Sequence, residues 1–468
     1  MQKCVAGNVC LQTQRKNSKY VAQGWFIPLL VLVFIGLSFV TGVLVQAKVR
    51  LAQDSHLDLH LAARYFREAK ELSDRDGGRT WGVPLYGPIL FVDPETRQVM
   101  ANQADTVGNL KSNGGVFTGT LPPDVTCANT ATVWAGVEWT MMLWPLPSSQ
   151  QERARLITHE LFHRIQEEVG FSASNPVNAH LESEAGRVWL RLEFRALERA
   201  LQETGSARKN ALTDALNFRQ FRQALGEMFQ CTENELELNE GLAEYTGVRL
   251  CARSQREAEI LAAYGLRQAH AKATFSRSFA YATGPAYGCL LDSVDPVWRN
   301  QLKTNRDLAR LAGTEFGVPL KRLDEPKLRA VATTYFGEEL FGFESVRATK
   351  RRTQLAQIQS LLVDGPTVEL PLDETMNYSF DPNTVVTLDD HRTVYPSLQL
   401  SSAWGVLTAS KGVMLCREKG KFSVALVSAH QIETEPAIEG DGWHLELKPG
   451  WRLEPAEKKA SFRVVKSR

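Results

Sequence analysis

No residue between Trp25 and Val45 carries a charge. Wound as an α-helix, that stretch measures roughly 30 Å, the thickness of a bilayer's hydrocarbon core. Pro28 falls near its start, where a helix tolerates proline. Lys3, Arg15, Lys16 and Lys19 precede the stretch with no acidic residue among them, whereas Lys48 and Arg50 follow it and Asp54 partly offsets them. By the positive-inside rule, residue 1 lies in the cytoplasm and everything from Lys48 onward lies outside. Val45-Gln46-Ala47 is also a small-residue site of the kind that ends a signal peptide, so a secreted protein stands as the alternative to an anchored one. Both readings carry the rest of the chain across a membrane.

Beyond that stretch the 468 residues read as ordinary globular material, 43% hydrophobic and 23% charged, with room for two or three domains. Lysine plus arginine (54) nearly cancel aspartate plus glutamate (53), so no bulk field exists to hold a polyanion, and nucleic acid is not an expected partner. Cys4 and Cys10 would remain in the reducing cytosol. Cys127, Cys231, Cys251, Cys289 and Cys416 would lie outside, an odd set that cannot all pair internally. None of the spacings is a CxxC pair, which argues against a cysteine-bound metal.

From Leu51 to Leu72 apolar residues recur at helical spacing, until Asp74 to Gly78 breaks the pattern. Ile89 to Val92 and Val99 to Ala101 flank Asp93-Pro94-Glu95-Thr96 and read as two short strands around a turn. Thr132 to Trp144 reads as one further strand, closed by Pro145 and Pro147. After Pro147 the period changes, with helices expected at about 150–169, 180–203, 210–229, 233–250 and 255–273, another from about 284, and more to about 361. From about Thr367 short apolar runs separated by turn residues indicate an all-β module. Tryptophans in Gly440-Asp441-Gly442-Trp443 and Pro449-Gly450-Trp451 suit either exposed platforms or tight turns beside a core, and the second is the commoner use. His391, His430 and His444 show no ligand spacing.

The chemistry concentrates in the helical stretch. In His159-Glu160-Leu161-Phe162-His163 the two histidines stand one helical turn apart on one face, where both imidazoles reach a single ion. Glu160 adjoins the first and can face a metal-bound water as general base without ligating; zinc lowers the pKa of such a water to about 7. The five-residue pattern also occurs by chance on surface helices, so a third ligand must be found. A histidine ten residues after His159 would serve, but Val169 stands there. Asn239-Glu240-Gly241-Leu242-Ala243-Glu244-Tyr245 offers a carboxylate instead. Glu240 and Glu244 share a helix face one turn apart, so Glu240 suits the ion while Glu244 suits the outer N–H of a ligand histidine.

These residues resemble the gluzincin group of zinc peptidases, especially the aminopeptidase N family, whose ligand helix carries a similar Asn-Glu-Gly-Phe-Ala run. In that family a downstream tyrosine in a Tyr-x-Lys-Gly setting stabilises the oxyanion of the tetrahedral intermediate. Tyr281-Ala282-Thr283-Gly284 looks like its counterpart without the lysine, just before a helix expected near Thr283 and Pro285. Tyr287 and His270 are the reserves for this role. The resemblance implies a gap between the second histidine and the glutamate far shorter than the 76 residues that lie between His163 and Glu240. At the family's distance from His163 stands Glu182, the rival third ligand. Glu240 is preferred because Gly186 and Val188 stand one turn beyond Glu182 and Glu184, and neither can orient a histidine.

The helices from about 180 to 229 would then be an insertion, and Arg187, Arg191, Glu193, Arg195, Glu198 and Arg199 read as its solvated charged face. The Gly-Ala-Met-Glu-Asn run by which aminopeptidases hold a free amine does not precede His159, so that specificity is not implied. In gluzincins an edge strand before the catalytic helix pairs with extended peptide, and Val133 to Trp144 is the expected counterpart. Trp134, Trp139 and Trp144 suit the core better than substrate subsites.

The expected fold is therefore α+β: a thermolysin-like, gluzincin catalytic domain of small sheet plus mostly helical lobe, with an N-terminal transmembrane helix and a C-terminal all-β domain. Its parts are a cytoplasmic tail (1–24), a transmembrane helix or signal anchor (25–46), a helical linker (47–81), a metallopeptidase domain (82–361) and an all-β accessory domain (366–468). The expected function is zinc-dependent hydrolysis of peptide or protein substrates outside the cytoplasm. Metal ligands would be His159, His163 and Glu240, catalytic residues Glu160 and Tyr281, and the histidine partner Glu244. The alternative is a membrane-tethered scaffold that keeps a peptidase-like fold without turnover.

Overall fold

Ile89 to Val92 is apolar at every position, as a strand covered on both faces must be, and the computed structural model makes it central in a six-stranded sheet. Described are residues 57–467 apart from 123–124, 319–323, 374–375, 381–384, 389–390, 420 and 435–436. The apolar stretch 25–46 and the tail before it lie outside the described residues. Among the described residues no helix is long and apolar enough to cross a membrane.

The sheet runs in the order β3-β4-β2-β1-β6-β5, with β1 at Ile89–Val92, β2 at Gln98–Ala101, β3 at Lys111–Asn113, β4 at Val116–Thr120, β5 at Thr130–Trp134 and β6 at Val137–Leu143. Leu90, Val92, Val99, Trp139 and Met141 gather in a core on one face. On the other face Phe91 stacks on Phe66 of α1 (Leu59–Asp76) at 4.6 Å, and Tyr65 meets Trp144. Trp134, Trp139 and Trp144 are all buried. The stretch expected as one strand from Thr132 is a hairpin, because Ala135 and Gly136 both take positive φ (51° and 75°), the backbone of a tight two-residue turn.

Helices follow as the period change requires: α2 at Gln150–Ile165, α3 at Glu184–Gln202 and α4 at Gly205–Gln223. A continuous helical rod then comprises α5 (Phe229–Leu236), a π turn (Glu237–Gly241) and α6 (Leu242–Cys251). Next come α7 at Gln255–Ala269, α8 at Ala280–Asp292 and α9 at Trp298–Leu302. Ser149 caps α2 by accepting the N–H of Glu152, a Ser-x-x-Glu start.

The charged face expected from about 180 to 229 is interior only in part: Arg191, Arg195 and Glu198 are half-buried and Arg199 is exposed. Arg187, Glu193, Arg219 and Arg222 are buried. Arg222 pairs with Glu193 and Glu233, Arg219 with Glu193 and Glu237, and Arg187 with Glu344. Charges can leave water when partners on neighbouring helices neutralise them; removing one partner from such a set leaves a stranded charge, at about 3–5 kcal/mol. A single helix's pattern cannot reveal those partners.

His270, just after α7, lies edge-on to Phe194 at 5.6 Å, and its Nδ1 accepts from Arg191 at 3.4 Å. Burial, then Arg191 and Arg195, push its imidazole down to about 4 from the usual 6.5. The unfolded chain therefore takes up this proton near pH 6.5 and the folded chain only near pH 4. Stability is full above pH 6.5 and falls as pH drops through that window, by on the order of 3 kcal/mol. The thermal midpoint of His270→Gln is expected to fall less between pH 6.5 and 4 than that of the wild type; superimposable curves would take His270 out of the acid response.

From Thr367 onward a seven-stranded and a five-stranded sheet face each other. Val368, Leu370, Val413, Leu415 and Val427 of the first meet Leu400, Leu407, Trp443 and Leu445 of the second in one core. Trp443 is buried there and donates to the Ser428 carbonyl, which accounts for the Gly440–Trp443 turn as packing.

Candidate metal centre

One helical turn on α2 brings the Nε2 atoms of His159 and His163 to 3.2 Å from each other. Each ring is fixed from behind. Nδ1 of His159 donates to Oε2 of Glu244 at 2.7 Å, and Nδ1 of His163 to Oε1 of Gln166 at 2.8 Å, so both Nε2 atoms are left facing a common space. Gln166 in turn donates to the Ser172 carbonyl and to Asn239, each at 3.0 Å. Asn239 holds the loop at 174–175 through the Ser174 carbonyl and the Asn175 side chain.

The third donor comes from the α5–α6 rod. In a regular α-helix Glu237 and Glu240 would project within about 60° of one another. The wider π turn separates them: Glu237 takes Arg219 and Thr283 in the buried charge network, while Glu240 turns to the histidines. Oε2 of Glu240 lies 3.6 Å from Nε2 of His159 and 3.7 Å from Nε2 of His163. Its other oxygen pairs with Arg277 at 2.6 Å. Four residues on, Glu244 reaches back to His159 and also pairs with Arg155.

Tyr281 sits in the first turn of α8, slightly earlier than the start expected near Thr283. Its hydroxyl donates to Oε2 of Glu240 and its ring stacks on that of His159, with centroids 5.6 Å apart. Two glycines make this contact possible. A Cβ on Gly284 would come within 2.3 Å of the Gly241 Cα, so α8 crosses the π turn backbone to backbone only because both positions are glycine. The glycines of the Asn-Glu-Gly and Tyr-x-x-Gly runs thus meet each other.

These side chains line an open cleft of about 600 Å³. Glu160 forms part of its wall, 4% exposed, and its Oε2 is buried with no hydrogen-bond partner. Burial pushes the Glu160 carboxyl above the usual range, while His159 and His163 pull it back. Burial opposes the charged form of His159, yet Glu240 and Glu244 raise it to about 10. Despite its own burial, Glu240 is held well below the carboxylate range by His159, His163 and Tyr281. Asn129, Thr130 and Ala131 form another wall at the start of β5, the edge strand of the sheet.

The donor set fits zinc in chemistry and spacing. Two imidazole nitrogens and a carboxylate oxygen around one ion at about 2.1 Å would be about 3.4 Å apart in tetrahedral geometry, against the 3.2, 3.6 and 3.7 Å found. The orphaned Glu160 oxygen beside them is the further polar group that an open coordination position calls for.

The other candidates lie apart from this cluster. Glu182 accepts the N–H groups of Phe275 and Ser276 and pairs with Arg187 and Arg347. Tyr287 donates to Glu193 within the buried network, and His270 packs beside Phe194. Sequence reading passed over Arg155, Gln166 and Arg277, although each lies three or four residues from a residue it had singled out, on the same helix face or one turn before it. Comparison of the chain with protein-family models, curated proteins and solved structures finds no match.

Proposed function

We propose that the chain is a zinc metallopeptidase of the gluzincin type, acting outside the cytoplasm on peptide or protein substrates. The reading rests above all on the convergence of His159, His163 and Glu240, donors drawn from positions with 76 residues between His163 and Glu240, within 4.8 Å of one another. A bound zinc ion would supply Lewis acidity and lower the pKa of a coordinated water to about 7.

The chain's own residues do the rest. Glu160 takes a proton from the attacking water and returns it to the leaving amine, a task for which its elevated proton affinity suits it. Tyr281 swings its phenol from Glu240 toward the developing oxyanion and donates to it. Glu244 and Gln166 hold the two imidazoles in one tautomer and orientation. The free edge of β5 receives an extended peptide backbone to backbone, which runs it past Asn129 to Ala131 into the cleft.

Metal analysis of the purified chain is expected to find about one zinc per molecule, and chelation to abolish hydrolysis of an unstructured protein until zinc is restored. Tyr281→Phe is expected to keep the metal and lower kcat by about tenfold to a hundredfold with little change in KM. A chain that binds zinc but hydrolyses nothing, wild type and Tyr281→Phe alike, would mark a silent scaffold instead.

A further inference from the structure

Away from the metal centre, the C-terminal end of α1, the C-terminal end of α6 and α9 enclose a second cleft, of about 480 Å³. Arg75 lines it from the first and Arg79 from the turn that follows, Arg249 from the second and Arg253 from just beyond its end, and Arg299 from the third. The carboxylate in its wall, Asp76, is occupied by the hydroxyl and N–H of Thr80. Asp292 pairs with Arg299 at 2.7 Å and with Arg249 at 3.4 Å, and its oxygens also accept from Tyr245 and Trp298. Arg79 spends its donors on the backbone carbonyls of Asp76 and Arg75. Among the described residues the guanidinium groups of Arg75 and Arg253 engage no carboxylate. A smaller cleft of about 250 Å³ shares Arg79 and Arg299, adds Lys303, and has no acidic residue in its wall.

Five arginines thus line one cleft with a single carboxylate, Asp76, in its wall, in a chain whose formal net charge is only +1. Like charges gathered in a concave site repel one another and focus a positive potential, which an anion relieves. Guanidinium forks match the oxygens of phosphate and make short charge-assisted hydrogen bonds to them. Arg299 spends its donors on Asp292, the Tyr245 hydroxyl and the Thr80 and Pro296 carbonyls, so the open forks are those of Arg75 and Arg253, whose several N–H groups suit an oxyanion with several acceptor oxygens.

We propose that this arginine-lined cleft binds a phosphate-bearing anion, either a free phosphate species or the phosphate of a lipid headgroup. The site is independent of the metal centre, so its occupancy can be read without any hydrolytic assay. Calorimetry of the full chain in neutral detergent would use inorganic phosphate in one arm and dihexanoyl phosphatidylglycerol in the other. Binding in at least one arm is expected, weakening as salt rises. Arg75→Ala combined with Arg253→Ala should reduce that affinity at least about tenfold while zinc content and thermal midpoint stay unchanged, since both side chains are exposed. Arg75→Lys with Arg253→Lys should fall between the two. Binding of phosphate would assign the cleft to a free anion, and binding of the lipid alone to a headgroup. No heat in either arm, or heat indifferent to the double alanine variant, would overturn the proposal.

Discussion

Glu160→Gln is expected to keep its zinc and to lose hydrolysis of an unstructured protein by about a hundredfold to ten-thousandfold, the range that removal of a general base produces. The substitution is nearly isosteric, and the glutamate is not among the three converging donors, so the metal cage stays whole. What goes is the buried carboxylate oxygen in the cleft that has no hydrogen-bond partner. Glu240 is held by Arg277 and Tyr281, and Glu244 by Arg155 and His159, whereas Oε2 of Glu160 has no partner. Burial disfavours the Glu160 charge, and the neutral amide removes that charge without changing the shape of the side chain, so Glu160→Gln is also expected to leave the fold intact or slightly firmer. Loss of activity without loss of metal or stability separates a proton-transfer role from a structural one. Unchanged turnover would exclude the mechanism even if zinc binding held.

How much of this centre the sequence discloses depends on the range of the contacts. Within a helix, spacing is geometry: His159 and His163, and Glu240 and Glu244, share faces because they are four residues apart. By the same rule Gln166 and Arg155 were legible, three residues after His163 and four before His159, yet a glutamine and an arginine on a polar helix suggest nothing without knowledge of what faces them. That knowledge is long-range. It depends on the α5–α6 rod packing across α2, on the Gly241–Gly284 contact, and on the π turn that parts Glu237 from Glu240.

The charged residues of α3 and α4 show the failure in the other direction. Their pattern fits a wet face, and it is the matching acids of α5 and the π turn, Glu233 and Glu237, that let Arg219 and Arg222 lie in the interior. In the sheet, Gly114-Gly115 marked the β3–β4 hairpin openly, with φ of 60° and 86°, and was overlooked. Ala135-Gly136 makes the same kind of turn without the Asn-Gly signature, so the single long strand was the natural reading there.

The choice between Glu240 and Glu182 as third ligand is the point at which spacing and geometry disagree, and it gives the second large expected effect. Glu240→Gln should lower zinc affinity by more than about a hundredfold, because loss of an outer partner such as Glu244 alone weakens metal binding by about ten- to a hundredfold and a direct ligand contributes more. Glu182→Gln should retain zinc. Its oxygens hold the Phe275 and Ser276 amides, two residues before Arg277 and six before Tyr281, and they answer to Arg187 and Arg347. Loosening that loop would disturb the Arg277 and Tyr281 contacts to Glu240, so the variant's deficit should appear in kcat rather than in metal content. If Glu240→Gln kept full zinc while Glu182→Gln lost it, the shorter family spacing would be right after all. The 76 residues between His163 and Glu240 would then be no insertion within a metal site but a separate helical layer beside it.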